Sequence, residues 1–178
     1  MPTPTYVALA KTVLTGTSSL ITFSSIPSTY TDLVLVCSMR YNDGGGGRSP
    51  FTLLLNSQTT SSTDSSMTNL RGYTSAAGSG RNSNTYFSNV YDVVGSADTA
   101  NTFSSVEIYI PNYAGSANKV LSVSGVSENN SSTDALTGVE AGLWSNTSVI
   151  TTIKLQPTAG ITNFASGSRF DLYGIKNS

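Results

Sequence analysis

Side chains able to do acid–base or nucleophilic chemistry are few in this chain: ten acids, nine bases, one cysteine and no histidine among 178 residues. Without histidine the commonest hydrolase triads and the commonest metal sites have no base and no ligand. Carboxylate chemistry is what remains. A glycosidase needs only an acid and a base at a suitable separation, and Asp32, Asp43, Asp64, Asp92, Asp98, Glu107, Glu128, Glu140 and Asp171 supply the carboxyl groups. No spacing in the sequence brings two of them together. Glu107 and Asp171 fall at the polar phase of alternating segments, where a solvated or salt-bridged role is expected. The Asp-x-Asp-x-Asp-Gly pattern of a calcium loop is missing.

Glycine-rich stretches do not change that picture. Gly44–Gly47 leads through Arg48-Ser-Pro-Phe into an extended segment, whereas a phosphate-binding loop needs Gly-Lys-Ser/Thr opening a helix. Ala77-Gly-Ser-Gly-Arg fails the same test. Cys37, inside Leu33-Val-Leu-Val-Cys-Ser-Met, has no possible partner within the chain and reads as a small buried apolar residue. No catalytic residue, cofactor-binding residue or metal ligand is therefore assigned, and an enzyme is not expected. Nine basic residues scattered from Lys11 to Lys176 form no patch, so direct nucleic-acid binding is not expected either. The start lacks a basic region followed by an apolar core, and no window approaches 18 apolar residues. The expectation is cytosolic synthesis with no membrane contact. A net charge of -1 with few charged groups favours association.

Tyrosine is the remaining functional hint, since it combines a large apolar body with a polar tip. Tyr41, Tyr73, Tyr86, Tyr91 and Tyr113 fall at the edges of extended segments, and with Arg48 they are the candidate interface residues. Trp144 is expected in the core.

The elements that must position these residues are strands. Period-two alternation and turn signals predict strands at Tyr6–Thr15, Leu20–Phe23, Thr31–Tyr41, Phe51–Asn56, Tyr86–Val94, Phe103–Ile110, Lys119–Val126, Thr137–Trp144, Val149–Leu155 and Ser168–Ile175. Leu33–Cys37, apolar at both parities, predicts a central strand covered on both sides, joined by the glycine loop to Phe51–Asn56 as a hairpin. Between about 57 and 85 the chain is polar and reads as a long excursion, with Met67, Leu70 and Tyr73 spaced for one helical turn. No helical pattern separates the strands. The expected architecture is one all-β domain over 1–178, an antiparallel two-sheet β-sandwich of about 8–10 strands, jelly-roll-like, with a short N-terminal arm over about 1–5.

Two stretches carry a resemblance. Leu20-Ile-Thr-Phe-Ser-Ser-Ile-Pro-Ser-Thr-Tyr-Thr-Asp-Leu and Gly167-Ser-Arg-Phe-Asp-Leu-Tyr-Gly-Ile-Lys-Asn-Ser fit an F-x-x-I-P-x-x-Y-x-x-L opening and an F-x-L-Y-G-I close around a variable middle. In this the chain resembles small virion structural proteins of tailed bacteriophages, including cyanophages. Phe23, Ile26, Pro27, Tyr30 and Leu33 match the first motif; Phe170, Leu172, Tyr173, Gly174 and Ile175 match the second. The resemblance implies a β-sandwich virion component assembled in the host cytoplasm, often a homotrimer. Its partners would be the major capsid protein or other virion proteins. The function so implied is a capsid decoration or cement protein that clamps major-capsid subunits; the alternative is a tail-fibre or receptor-binding knob recognising host glycans. The absence of heptads or repeats before Tyr6 favours the first.

Overall fold

The computed structural model describes residues 5–42, 48–130, 135–158 and 160–176. Twelve strands run in chain order as β1 (Tyr6–Val13), β2 (Ile21–Phe23), β3 (Asp32–Met39), β4 (Ser49–Leu55), β5 (Ser65–Tyr73), β6 (Ala77–Thr85), β7 (Phe87–Val93), β8 (Ser104–Ile110), β9 (Lys119–Ser127), β10 (Leu136–Trp144), β11 (Ile153–Pro157) and β12 (Arg169–Ile175). There is no helix among the described residues. The strands form two antiparallel sheets. One has eight strands in the order β1-β12-β3-β8-β9-β10-β5-β6, the other four in the order β2-β11-β4-β7.

Alternation explains the sandwich. Leu33, Leu35, Cys37, Val106, Ile108, Ile110, Leu121 and Val123 turn one parity of the large sheet inward, where they meet Phe51, Leu53, Leu55, Ile153 and Leu155 from the small sheet in one apolar cluster. Set β5, β6, β9 and β10 aside, and the other eight strands pair as β1-β12-β3-β8 and β2-β11-β4-β7, with each strand in the opposite sheet from its predecessor except β7, which shares the small sheet with β4. The four set aside extend the large sheet past its partner. β7, the edge of the small sheet, still packs against β5, β9 and β10, but β6 lies at the rim and exposes residues on both faces.

Ten of the strands lie where the alternation places them. The stretch from 57 to 85 does not match its expectation: it holds β5 and β6, paired from Ser65↔Thr85 to Gly72↔Ala77, so the strand total is twelve. Met67 and Leu70 are not stacked on a helical turn but point to opposite sides of β5, the first buried and the second exposed. The expected hairpin of Thr31–Tyr41 with Phe51–Asn56 is also corrected, because β3 and β4 lie in different sheets. The glycines at 44–47, Asp43 and most of the N-terminal arm are outside the described residues. β3 is central, between β12 and β8, yet only its inner face is fully covered, and Val36 is exposed on the outer side.

Both halves of the bracketing motif meet in space. Leu33 pairs with Gly174 across β3 and β12. The Tyr30 ring lies where a Cβ on Gly174 would be, 2.5 to 2.8 Å away. Tyr113 donates its hydroxyl to the carbonyl of Pro27.

Candidate interaction surface

Three of the six candidate interface residues are core residues. Tyr41, Tyr91 and Tyr113 are fully buried, because each hydroxyl finds a carbonyl acceptor inside the fold and the ring can then be covered without a stranded polar atom. Tyr41 donates to Pro50 O at 2.9 Å and stacks on Phe164, with ring centroids 5.4 Å apart. Tyr91 donates to Leu136 O at 2.9 Å while its ring fills the space above Gly125, and burial pushes its phenol up to about 12. Arg48 is half-buried at the entry to β4, and Tyr86 is half-buried between β6 and β7. Tyr73, at the end of β5, is exposed; it lines a shallow groove with Val126, Glu128, Leu136 and Thr137. No surface unites the six.

The acids serve structural roles. Arg71 on β5 points inward, with Gly138 on β10 and Gly78 on β6 as its register partners, and a Cβ on Gly138 would lie 3.2 Å from Arg71 Cγ. Its Nη2 donates to Glu140 Oε1 at 2.6 Å and to Asn89 O at 2.9 Å, and its Nη1 donates to Asp92 Oδ1 at 3.0 Å. The Glu140 carboxylate also accepts from Tyr91 N. Burial pushes the Glu140 carboxyl up from its ordinary range, against the opposing pull of Arg71 and the Tyr91 N–H. This cluster joins the overhanging part of the large sheet to β7.

Asp64 accepts from Trp144 Nε1 at 2.7 Å and from Gln58 Nε2 at 2.6 Å, and Asp32 accepts from Tyr109 Oη at 2.9 Å and Asn112 N at 2.8 Å. Asp98 accepts from Gly95 N and Asn129 Nδ2, and Glu128 from two backbone N–H groups. Asp171 is nearly buried and paired with Arg169, the salt-bridged form of the role expected for it, and Glu107 is exposed, the solvated form. Lys119 is also buried, its Nζ donating to the carbonyls of Gly115, Ala117 and Thr147 at 2.5 to 3.2 Å, and burial lowers its pKa. Burial pushes the Cys37 thiol up. Among the described residues no group of three or more His, Cys, Asp or Glu could hold a metal ion.

What the chain does offer is area. The outer face of β8, β9, β10, β5 and β6 is open, and register aligns its side chains in rows. One row runs Glu107, Ser124, Val139, Leu70, Ser79; the next runs Tyr109, Ser122, Ala141, Thr68, Arg81. Val139 and Leu70, direct cross-strand neighbours, are 55% and 56% exposed, and Val126 and Val120 on β9 are exposed as well. Thr68, Leu70, Val139 and Ala141 line an apolar depression. Glu107 and Arg81 are the only charged residues that these five strands place on this face.

Sequence reading missed this surface because Glu140 is buried: a strand with an acid at the inner phase and Val139 at the outer one inverts the usual parity rule. The signal that could have found it is the run of Val120, Val126 and Val139 on the phase opposite the buried residues of β9 and β10. Comparison with protein-family models, curated proteins and solved structures finds no match.

Proposed function

We propose that this chain is a non-enzymatic structural protein of a bacteriophage virion: a capsid decoration or cement protein that clamps major-capsid subunits, a homotrimer as the resemblance implies. The observation that carries the reading is that the carboxylates on which catalysis would depend are committed to holding the fold: Asp92 and Glu140 share Arg71, and Asp64 and Asp32 anchor neighbouring loops. What is left at the surface is broad, weakly charged sheet, which suits binding across large, flat protein surfaces. Contact between the two bracketing motifs at Leu33, Tyr30 and Gly174 supports the resemblance, since it gives those residues a joint structural reason. Crossing of the chain between sheets at every step but β4 to β7, apart from the two inserted pairs, supports a jelly roll. A glycan-binding knob built on Tyr73, Tyr86 and Tyr113 has less support, because Tyr113 is buried.

Particles lacking the protein are expected to assemble with normal shape and adsorb normally, yet release DNA at lower temperature, because binding energy spread across subunit boundaries is lost. Measuring adsorption beside thermal DNA release checks this. Lost adsorption with unchanged thermal release would instead support the fibre reading.

A further inference from the structure

We propose that the open outer face of β8, β9, β10, β5 and β6 is a self-association surface on which a second copy of this chain stacks face to face, about a twofold axis running along β10. In a twofold contact each patch meets itself, so the patch must be apolar at its centre and charge-complementary about the axis. This one meets both conditions. β10 is the middle strand of the five, and Val139 lies one residue from its midpoint, beside Leu70, with no charge on the outer face of β9, β10 or β5. The single acid lies two strands to one side, Glu107 on β8, and the single base two strands to the other, Arg81 on β6. Rotation about β10 lays β6 of one copy over β8 of the other, so Arg81 of each copy faces Glu107 of its mate, twice per dimer. The two residues lie in adjacent rows, about 7 Å apart along the strand direction, which an arginine side chain spans.

Arg81 is already positioned for this, because Nη1 donates to Thr68 Oγ1 at 2.9 Å and holds the guanidinium over the outer face with most of its N–H groups left for a carboxylate. Five strands spaced ~4.8 Å apart, each about 25 Å long, give roughly 600 Å² of flat area per copy before side-chain relief, close to the ~800 Å² per partner of a standard interface. Twisted sheets stack face to face with strand directions within about 30° of each other, and the small side chains Ser122, Ser124, Ala141 and Thr68 allow close approach.

The contact does not depend on the virion reading. Sedimentation velocity on the full chain from about 1 to 100 µM tests it, in the micromolar range where interfaces of this size hold. The expected species is a dimer, or a hexamer if a trimer forms through other surfaces. Val139→Arg, which puts like charges together at the axis, is expected to halve the oligomer while leaving the far-UV spectrum unchanged. Arg81→Glu and Glu107→Arg are each expected to weaken association at least tenfold, and the double variant Arg81→Glu/Glu107→Arg to recover it to within about threefold, since the swap restores both pairs. A monomer or a bare trimer across the whole range, an oligomer indifferent to Val139→Arg, or a double variant as weak as the singles would overturn the proposal.

Discussion

Tyrosine in this protein shows how far a residue type alone can be read. Tyr41, Tyr91 and Tyr113 were expected at an interface and lie in the core instead, because the carbonyls that accept their hydroxyls, those of Pro50, Leu136 and Pro27, are between 9 and 86 residues away in the chain. No local pattern reveals such a partner. Gly174 was legible as a motif position but not as a notch for Tyr30. The Arg71 cluster was invisible for the same reason as the tyrosine acceptors: its members are contributed by β5, β7 and β10. Replacing Arg71 alone, as Arg71→Met, leaves Glu140 buried and charged and is expected to cost about 3–5 kcal/mol in urea unfolding. Adding Glu140→Leu should recover much of that loss. The sign with pH follows from burial. A carboxyl whose folded pKa lies above its unfolded value binds the proton more tightly when folded, so the deficit of Arg71→Met should shrink as the pH falls from about 7 towards about 4. A deficit independent of pH would mean that Glu140 is not the uncompensated charge.

At the scale of elements, the strands that were legible are those with one buried face. β6 has none. Its sequence, Ala-Gly-Ser-Gly-Arg-Asn-Ser-Asn-Thr, lacks period-two apolarity because it lies beyond the small sheet and is held only by its bonds to β5, so composition read it as loop. The start of β11 shows the converse. Alternation predicts a strand that starts at Val149, four residues before the observed start of Ile153–Pro157. Asn56, at a positive φ of 52°, accepts from the N–H groups of Thr151 and Thr152 and donates to Val149 O, so one side chain takes up backbone groups that a neighbouring strand would otherwise have bonded. Strands held on one edge and covered on neither face open locally at low cost. Hydrogen exchange of the Val139→Arg variant, whose outer face is uncovered, should therefore find the β6 amides exchanging at least about a hundredfold faster than those of β10, which is paired on both sides. Equal protection in β6 and β10 would show that the rim is not an independent unit.

For the whole molecule, the all-β sandwich was legible and the division of strands between sheets was not, since alternation shows that a face is buried without showing against what. β12 is the last of the twelve strands in chain order, yet in the large sheet it sits second from the edge, between β1 and β3 and hydrogen-bonded to both. Order of synthesis therefore opposes order in space. While a ribosome is still adding residues up to Gly167, the large sheet has a slot one strand wide, walled by the facing edges of β1 and β3, and those edges are templates for any extended chain nearby. A chain ended at Gly167 is expected to be insoluble or to lack the β spectrum, and a peptide spanning residues 167–176, supplied during refolding, to restore it by entering the slot. A soluble, β-rich truncated chain would show that the two edges can close on each other. Until the strand bearing Phe170, Leu172 and Gly174 arrives, the sheet made by the strands before it is a receptor for that segment.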